Sequence, residues 1–170
     1  MDTVLQTIAA EFSDIPDLEQ FTRVVVRLLV AAILAGVVGL ERELAGKPAG
    51  LRTHMLVALG SAMFVLVPLQ AGIELEDLSR VIQGLLAGVG FLCAGAILKT
   101  ADEERVQGLT TAASLWMTAA IGMAAGLGRE ATAALSTVLA LSVLSLEGPL
   151  QRFIQARQRR VLTPPHEPPG

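Results

Sequence analysis

Tyrosine is absent from this 170-residue chain, which also has one cysteine, one tryptophan and two histidines. A lone Cys93 excludes an internal disulfide and any multi-cysteine metal site, so the redox compartment cannot be read from it. Charge is scarce as well: 17% of residues are charged against 52% hydrophobic, and the mean hydropathy is +0.59. Such values lie outside the range of an ordinary soluble domain and indicate a membrane protein. Each helical crossing takes roughly 20 residues, so a chain of this length has room for one bundle in one domain.

Charge is not only rare but concentrated. The stretch Gly39-Leu-Glu-Arg-Glu-Leu-Ala-Gly-Lys-Pro-Ala-Gly-Leu-Arg-Thr-His54 separates two long apolar segments that carry almost none. Its simplest reading is a membrane surface. Five apolar windows follow from the hydropathy pattern: Val24 to Leu40, His54 to Ala71, Val81 to Leu98, Leu109 to Gly126 and Ala131 to Glu147. Each is about 17 to 19 residues, near the short end of the spanning range. Because lipid offers no partner for backbone polar groups, these windows are expected to be helices. The expected fold is all-α, a polytopic membrane helical bundle with about five transmembrane helices.

Residues 1–23 form an acidic leader in which Asp2, Glu11, Asp14, Asp17 and Glu19 interrupt Val4, Leu5, Ile8 and Phe12. It lacks the basic start of a cleaved signal peptide. Its apolar spacing allows a short helix over residues 3–13 lying against the outer surface of the bundle; a disordered leader is the alternative. At the other end, residues 148–170 read as a basic tail. Leu150, Phe153, Ile154 and Val161 alternate there with Arg152, Arg157, Arg159 and Arg160, as on an amphipathic helix at the inner leaflet, before a Pro-rich disordered end from Thr163 to Gly170.

Orientation follows from the cationic residues beside the spans. Arg42, Lys47, Arg52, Lys99, Arg105 and the four tail arginines total nine on one side, against Arg23, Arg27, Arg80 and Arg129 on the other. That places the N-terminus outside and the C-terminus in the cytoplasm. Glu74, Glu76 and Asp77 then face outward, and Asp102, Glu103 and Glu104 inward.

The third window is dense in glycine. Gly84, Gly88 and Gly95 fall within an arc of roughly 40° on a helix, a smooth face that lets a neighbouring backbone approach, and Gly84 to Gly88 is a small-xxx-small spacing. Gly84, Gly88, Gly90, Cys93 and Gly95 are therefore expected to form a helix-packing groove, within the bundle or against a second copy. The alternative is a break at Gly88-Val-Gly90 whose freed carbonyls face an ion. Gln83, the strongly polar side chain of that window, suits an interfacial hydrogen bond. In the fourth window Gly108, Thr110, Thr111, Ser114 and Trp116 replace bulky aliphatics: either threonine can cap the helix, and Trp116 is deep enough to plug the glycine face.

Three motifs now stand in order. Gly39-Leu-Glu-Arg-Glu43 with Lys47-Pro-Ala-Gly-Leu-Arg-Thr-His54, then Gly88-Val-Gly-Phe-Leu-Cys-Ala-Gly-Ala-Ile97, then Gly108-Leu-Thr-Thr-Ala-Ala-Ser-Leu-Trp116 resemble the signatures of the MgtC/SapB family of bacterial inner-membrane proteins. The resemblance runs over residues 24–147. Cys93 departs from it, standing where glycine is expected, but is small enough to preserve packing. Fuller members resemble this bundle followed by a cytoplasmic regulatory domain, whose function does not carry over here. The resemblance implies magnesium homeostasis, adaptation to low magnesium and, in pathogens, survival inside host cells.

Two functional readings follow. The first is a non-enzymatic regulator that binds other membrane complexes or a second copy of itself; no window holds an acidic pair in mid-membrane, where ionisable groups usually mark a transport path. The second is a magnesium or small-solute pathway with Glu41, Arg42 and Glu43 at its cytoplasmic mouth, since Mg²⁺ needs only one or two carboxylates. On a continuous helix, however, Glu41 and Glu43 point about 200° apart. The charged block also has a structural account, in which Glu43 and Lys47 form an i, i+4 pair, Pro48 ends the helix and Arg52 meets anionic lipid. Candidate ligand residues are Glu41, Arg42, Glu43, Lys47, Arg52, Thr53 and His54. With His166 remote in the tail, His54 has no second metal-binding side chain nearby. Arg27 is expected to snorkel outward. An enzyme is the least supported class, because nothing pairs a nucleophile with a base. No cofactor is expected; the expected partners are the lipid bilayer, a second copy, another membrane complex and Mg²⁺, not nucleic acid.

Overall fold

The structure is a computed structural model that describes residues 2–13, 15, 17–97, 107–146 and 148. It is all-helical over these residues: α1 (Asp2–Glu11), α2 (Leu18–Leu44), α3 (Leu51–Gln70), α4 (Leu75–Ile97), α5 (Leu109–Gly126) and α6 (Glu130–Ser145). Helices α2 to α5 are long and apolar enough to cross a membrane. With 16 residues α6 is apolar but shorter, about 24 Å against a hydrocarbon core of about 30 Å. The five windows thus become five bundle helices.

Their ends lie beyond several of the windows, and local chemistry accounts for the difference. Asp17 accepts a hydrogen bond from the Gln20 amide at 2.7 Å, so α2 starts a turn and a half before Val24, and an exposed Glu19–Arg23 ion pair lies along its first turns. At its other end α2 runs through Glu41 to Leu44 and stops at Gly46, not at Pro48. Gly46 is left-handed (φ 69°), and the Lys47 amide returns to the Arg42 carbonyl at 3.0 Å, a Schellman close. The same pattern ends α3 at Gly72 and α5 at Gly128.

α2, α3 and α5 form the centre, α6 packs on α2 and α5, and α4 leans on α5 and α3 from outside. The core is built largely from alanine: Ala31, Ala35, Ala58, Ala62, Ala125 and Ala133 are joined by Val38, Ile121 and Leu144. Small side chains matter because lipid provides no hydrophobic drive between helices; close backbone approach does the holding.

That approach is made by α5, which corrects the expectation for α4. A Cβ added at Gly122 would strike the Ala58 carbonyl oxygen and lie 2.6 Å from the Ala58 Cα, and one at Gly126 would lie 2.5 Å from the Ala62 carbonyl oxygen. At Gly84, Gly88, Gly90 and Gly95 an added Cβ would meet nothing within 4 Å. Among the described residues the α4 glycines are unpacked, because α4 sits at the periphery and Gly84 and Gly88 face an open groove beside α3. Cys93 does pack, its thiol donating to the Ala112 carbonyl of α5 at 3.2 Å. Gln83 is exposed.

The leader contains α1, but no α1 residue is buried, and Val4, Leu5, Ile8 and Phe12 are all exposed. It does not lie against the bundle as expected. Leu98, Lys99, Asp102 to Arg105, Glu147, the basic tail from Leu150 to Val161, and Thr163 to Gly170 with His166 lie outside the described residues.

Candidate functional site

The charged block folds into a compact junction at one end of the bundle. Gly39 brings α2 against α3: a Cβ there would lie 2.8 Å from the Leu51 Cα and 2.9 Å from the His54 Cβ. One turn further along the same face, Arg42 is fully buried, with Nη1 3.6 Å from Glu41 Oε2. Glu41 is partly buried, and its Oε2 is closed off without a hydrogen bond among the described residues. A buried guanidinium beside a carboxylate pays a large desolvation cost that only its partners offset.

Glu43 turns the opposite way, as the 200° separation predicts. Its Oε2 accepts the Leu51 amide of α3 at 2.9 Å, so an acidic side chain caps the next helix, where free amides favour negative charge. The two glutamates thus make different contacts, Glu41 with Arg42 and Glu43 with the start of α3. α2 ends at Leu44, so Lys47 lies beyond the helix and not one helical turn along from Glu43.

His54 is completely buried and ties α3 to α5. Its Nδ1 is 2.9 Å from the Gly50 carbonyl and therefore carries the proton, since a carbonyl only accepts. Nε2 lies 3.3 Å from the Ser114 hydroxyl. That hydroxyl donates its proton to the Thr111 carbonyl at 2.8 Å. Thr118 closes the row by donating to the Ser114 carbonyl at 2.8 Å.

The structure therefore joins Glu41, Arg42 and His54 of the first motif to Thr111 and Ser114 of the third. Other members of the expected set are elsewhere. Arg52 is exposed and Thr53 half-buried, and both line a groove between α3 and α4. Thr110 is exposed, and neither it nor Thr111 caps α5: the cap is Gly108, with φ 91° and no side-chain bond. Only glycine suits that position, because a Cβ would also lie 2.5 Å from the Ala96 carbonyl oxygen at the end of α4. Trp116 is 52% exposed and is not a buried plug. Among the described residues no cluster of three or more His, Cys, Asp or Glu could hold a metal ion.

Two contacts escaped the sequence reading. Gly122 and Gly126 have the same small-xxx-small spacing as Gly84 and Gly88, a signal that was available. Arg27, two and a half turns into α2, reaches the turn between α5 and α6 and donates to the Gly126 carbonyl at 3.1 Å, against Gly128.

With the motifs joined in space, comparison with known proteins decides the family. A profile of the MgtC family matches residues 28–153. This chain belongs to the MgtC family. Protein SrpB of Synechococcus elongatus is 46% identical over 143 residues, 78% of this chain and 79% of that protein. The putative magnesium transporter YhiD of Escherichia coli K12 is 41% identical over 129 residues, 72% of this chain and 59% of YhiD. Protein MgtC of Brucella abortus is 38% identical over 130 residues, 76% of this chain and 53% of that protein. The chain thus spans most of SrpB but little more than half of the other two. No solved structure matches. Membership together with the apolar helices makes this a multi-pass bacterial membrane protein.

Proposed function

We propose that this chain serves magnesium homeostasis as a non-enzymatic membrane regulator that binds other membrane complexes, with its charged junction at the cytoplasmic face of the inner membrane. The magnesium link rests on the MgtC family and on a relative named as a putative magnesium transporter. The observation favouring a regulator over a conduit is the seam between α3 and α5: Gly122 and Gly126 lie against the backbone of Ala58 and Ala62 too closely for even a methyl group. Below the junction the central helices meet through alanine and glycine, and a path for a hydrated cation would have to part them. Partner contact falls to Lys47 and Arg52, because Arg42 is buried. A nine-to-four cationic bias supports the orientation.

The second reading, a magnesium pathway, draws on one observation: Glu41 Oε2 is sealed beside Arg42 without a hydrogen bond among the described residues, as a carboxylate awaiting a ligand would be. Purified protein in liposomes loaded with a magnesium-sensitive dye separates the two. The regulator gives no flux, with or without Glu41→Gln, while growth of cells in low magnesium depends on Lys47 and Arg52. Robust flux by the parent, abolished by Glu41→Gln, would overturn the proposal.

A further inference from the structure

Between α3 and α4 runs a groove of about 760 Å³. Its floor is glycine: Gly60, Gly84 and Gly88 line it, and an added Cβ at any of them would meet nothing within 4 Å. Leu56, Phe64 and Leu92 form its walls, all of them at least half exposed. One end differs in kind. Arg52 and Thr53, on the first turn of α3, open the groove at the charged end of the bundle, and among the described residues Arg52 has no carboxylate within ion-pair distance.

The geometry points to a seated anionic phospholipid in this groove. Its phosphate would accept from the Arg52 guanidinium and the Thr53 hydroxyl, and one acyl chain would lie along the glycine floor. Dimensions agree with one leaflet: from Arg52 to Phe64 the helix advances roughly 18 Å, about half of a hydrocarbon core near 30 Å. Polarity agrees as well, since the groove has one cationic end and is otherwise apolar, as a single lipid has one anionic end. A helix from a second copy fits less well. To fill the groove it would lay apolar side chains over Arg52 and strip water from that charge without replacing it. An anionic headgroup instead supplies the charge-assisted hydrogen bonds that a guanidinium makes best.

The full chain, held in nanodiscs of equal phosphatidylglycerol and phosphatidylcholine and then released into the gas phase for native mass spectrometry, tests this. We expect one phosphatidylglycerol retained per chain, about fivefold over phosphatidylcholine, the preference that one interfacial arginine supplies. Arg52→Gln should abolish the preference while leaving some lipid of either kind. Gly84→Leu with Gly88→Leu should expel both lipids, with helical content kept and thermal melting not lowered, since a Cβ at either position meets no described residue within 4 Å. Equal retention of the two lipids by the parent, or an unchanged preference in Arg52→Gln, would overturn the assignment. So would a parent of dimeric mass that the double glycine change renders monomeric, because the groove would then hold a second copy.

Discussion

Glu43 and Leu51 face each other across the turn between α2 and α3, the carboxylate of one holding the amide of the other at 2.9 Å. The contact fixes the angle at which the two helices leave the charged block. A Cβ at Gly50 would lie 2.6 Å from that same carboxylate oxygen, so the glycine and the glutamate depend on each other. Glu43→Ala should therefore lower stability by about 1 kcal/mol, the usual worth of a helix cap. Thermal melting in detergent will show it, and a loss confined to magnesium-dependent activity with melting unchanged would refute the capping role.

Glycine on α5 and glycine on α4 should respond oppositely to the same change. Gly122→Ala places a methyl group into the Ala58 backbone and should cost about 1 to 3 kcal/mol, as overpacking does. Gly88→Ala meets no described residue within 4 Å and should be neutral or stabilise by about 0.5 to 1 kcal/mol through helix propensity. Melting temperatures of the two variants measured side by side provide the comparison.

Arg42 and Glu41 should show strong coupling. Arg42→Met removes the cation while leaving Glu41 Oε2 enclosed, and the loss should approach the lower end of the ~3–5 kcal/mol seen when one member of a buried pair is removed. Solvent reaches part of Glu41, whose side chain is 29% exposed, which moderates it. Adding Glu41→Gln should restore much of that loss. Additive effects in the double variant, measured by chemical unfolding, would mean the two side chains do not interact.

Replacing Arg27 by Leu keeps most of the stem but removes the bond to the Gly126 carbonyl. A cost of about 1 kcal/mol is expected, with faster amide exchange at the turn of Gly126 to Arg129. Unchanged exchange there would show that the turn does not need the arginine.

Orientation is tested by labelling. In a Cys93→Ala background, a thiol at Glu76 should react with an impermeant maleimide from outside, and one at Leu44 only after permeabilisation. Both residues are exposed, so the reverse pattern would reverse the topology.

Hydropathy and helix chemistry are local, and the sequence by itself determined what depends on them: the all-α class, five apolar helices, the diverging directions of Glu41 and Glu43, and the three motifs that identify the family. Helix limits were less legible, because Asp17 and Gly46 set them through capping outside the apolar windows. Tertiary structure alone decided which glycine face is packed. Gly84 with Gly88 and Gly122 with Gly126 have identical spacing, and periodicity describes a face without saying what lies opposite; only the central position of α5 against Ala58 and Ala62 separates them. The same holds for Arg42 and Arg52. Both look like boundary charges in sequence, yet the close approach at Gly39 encloses the first, whereas the second, on the outer face of α3, remains at the mouth of an open groove.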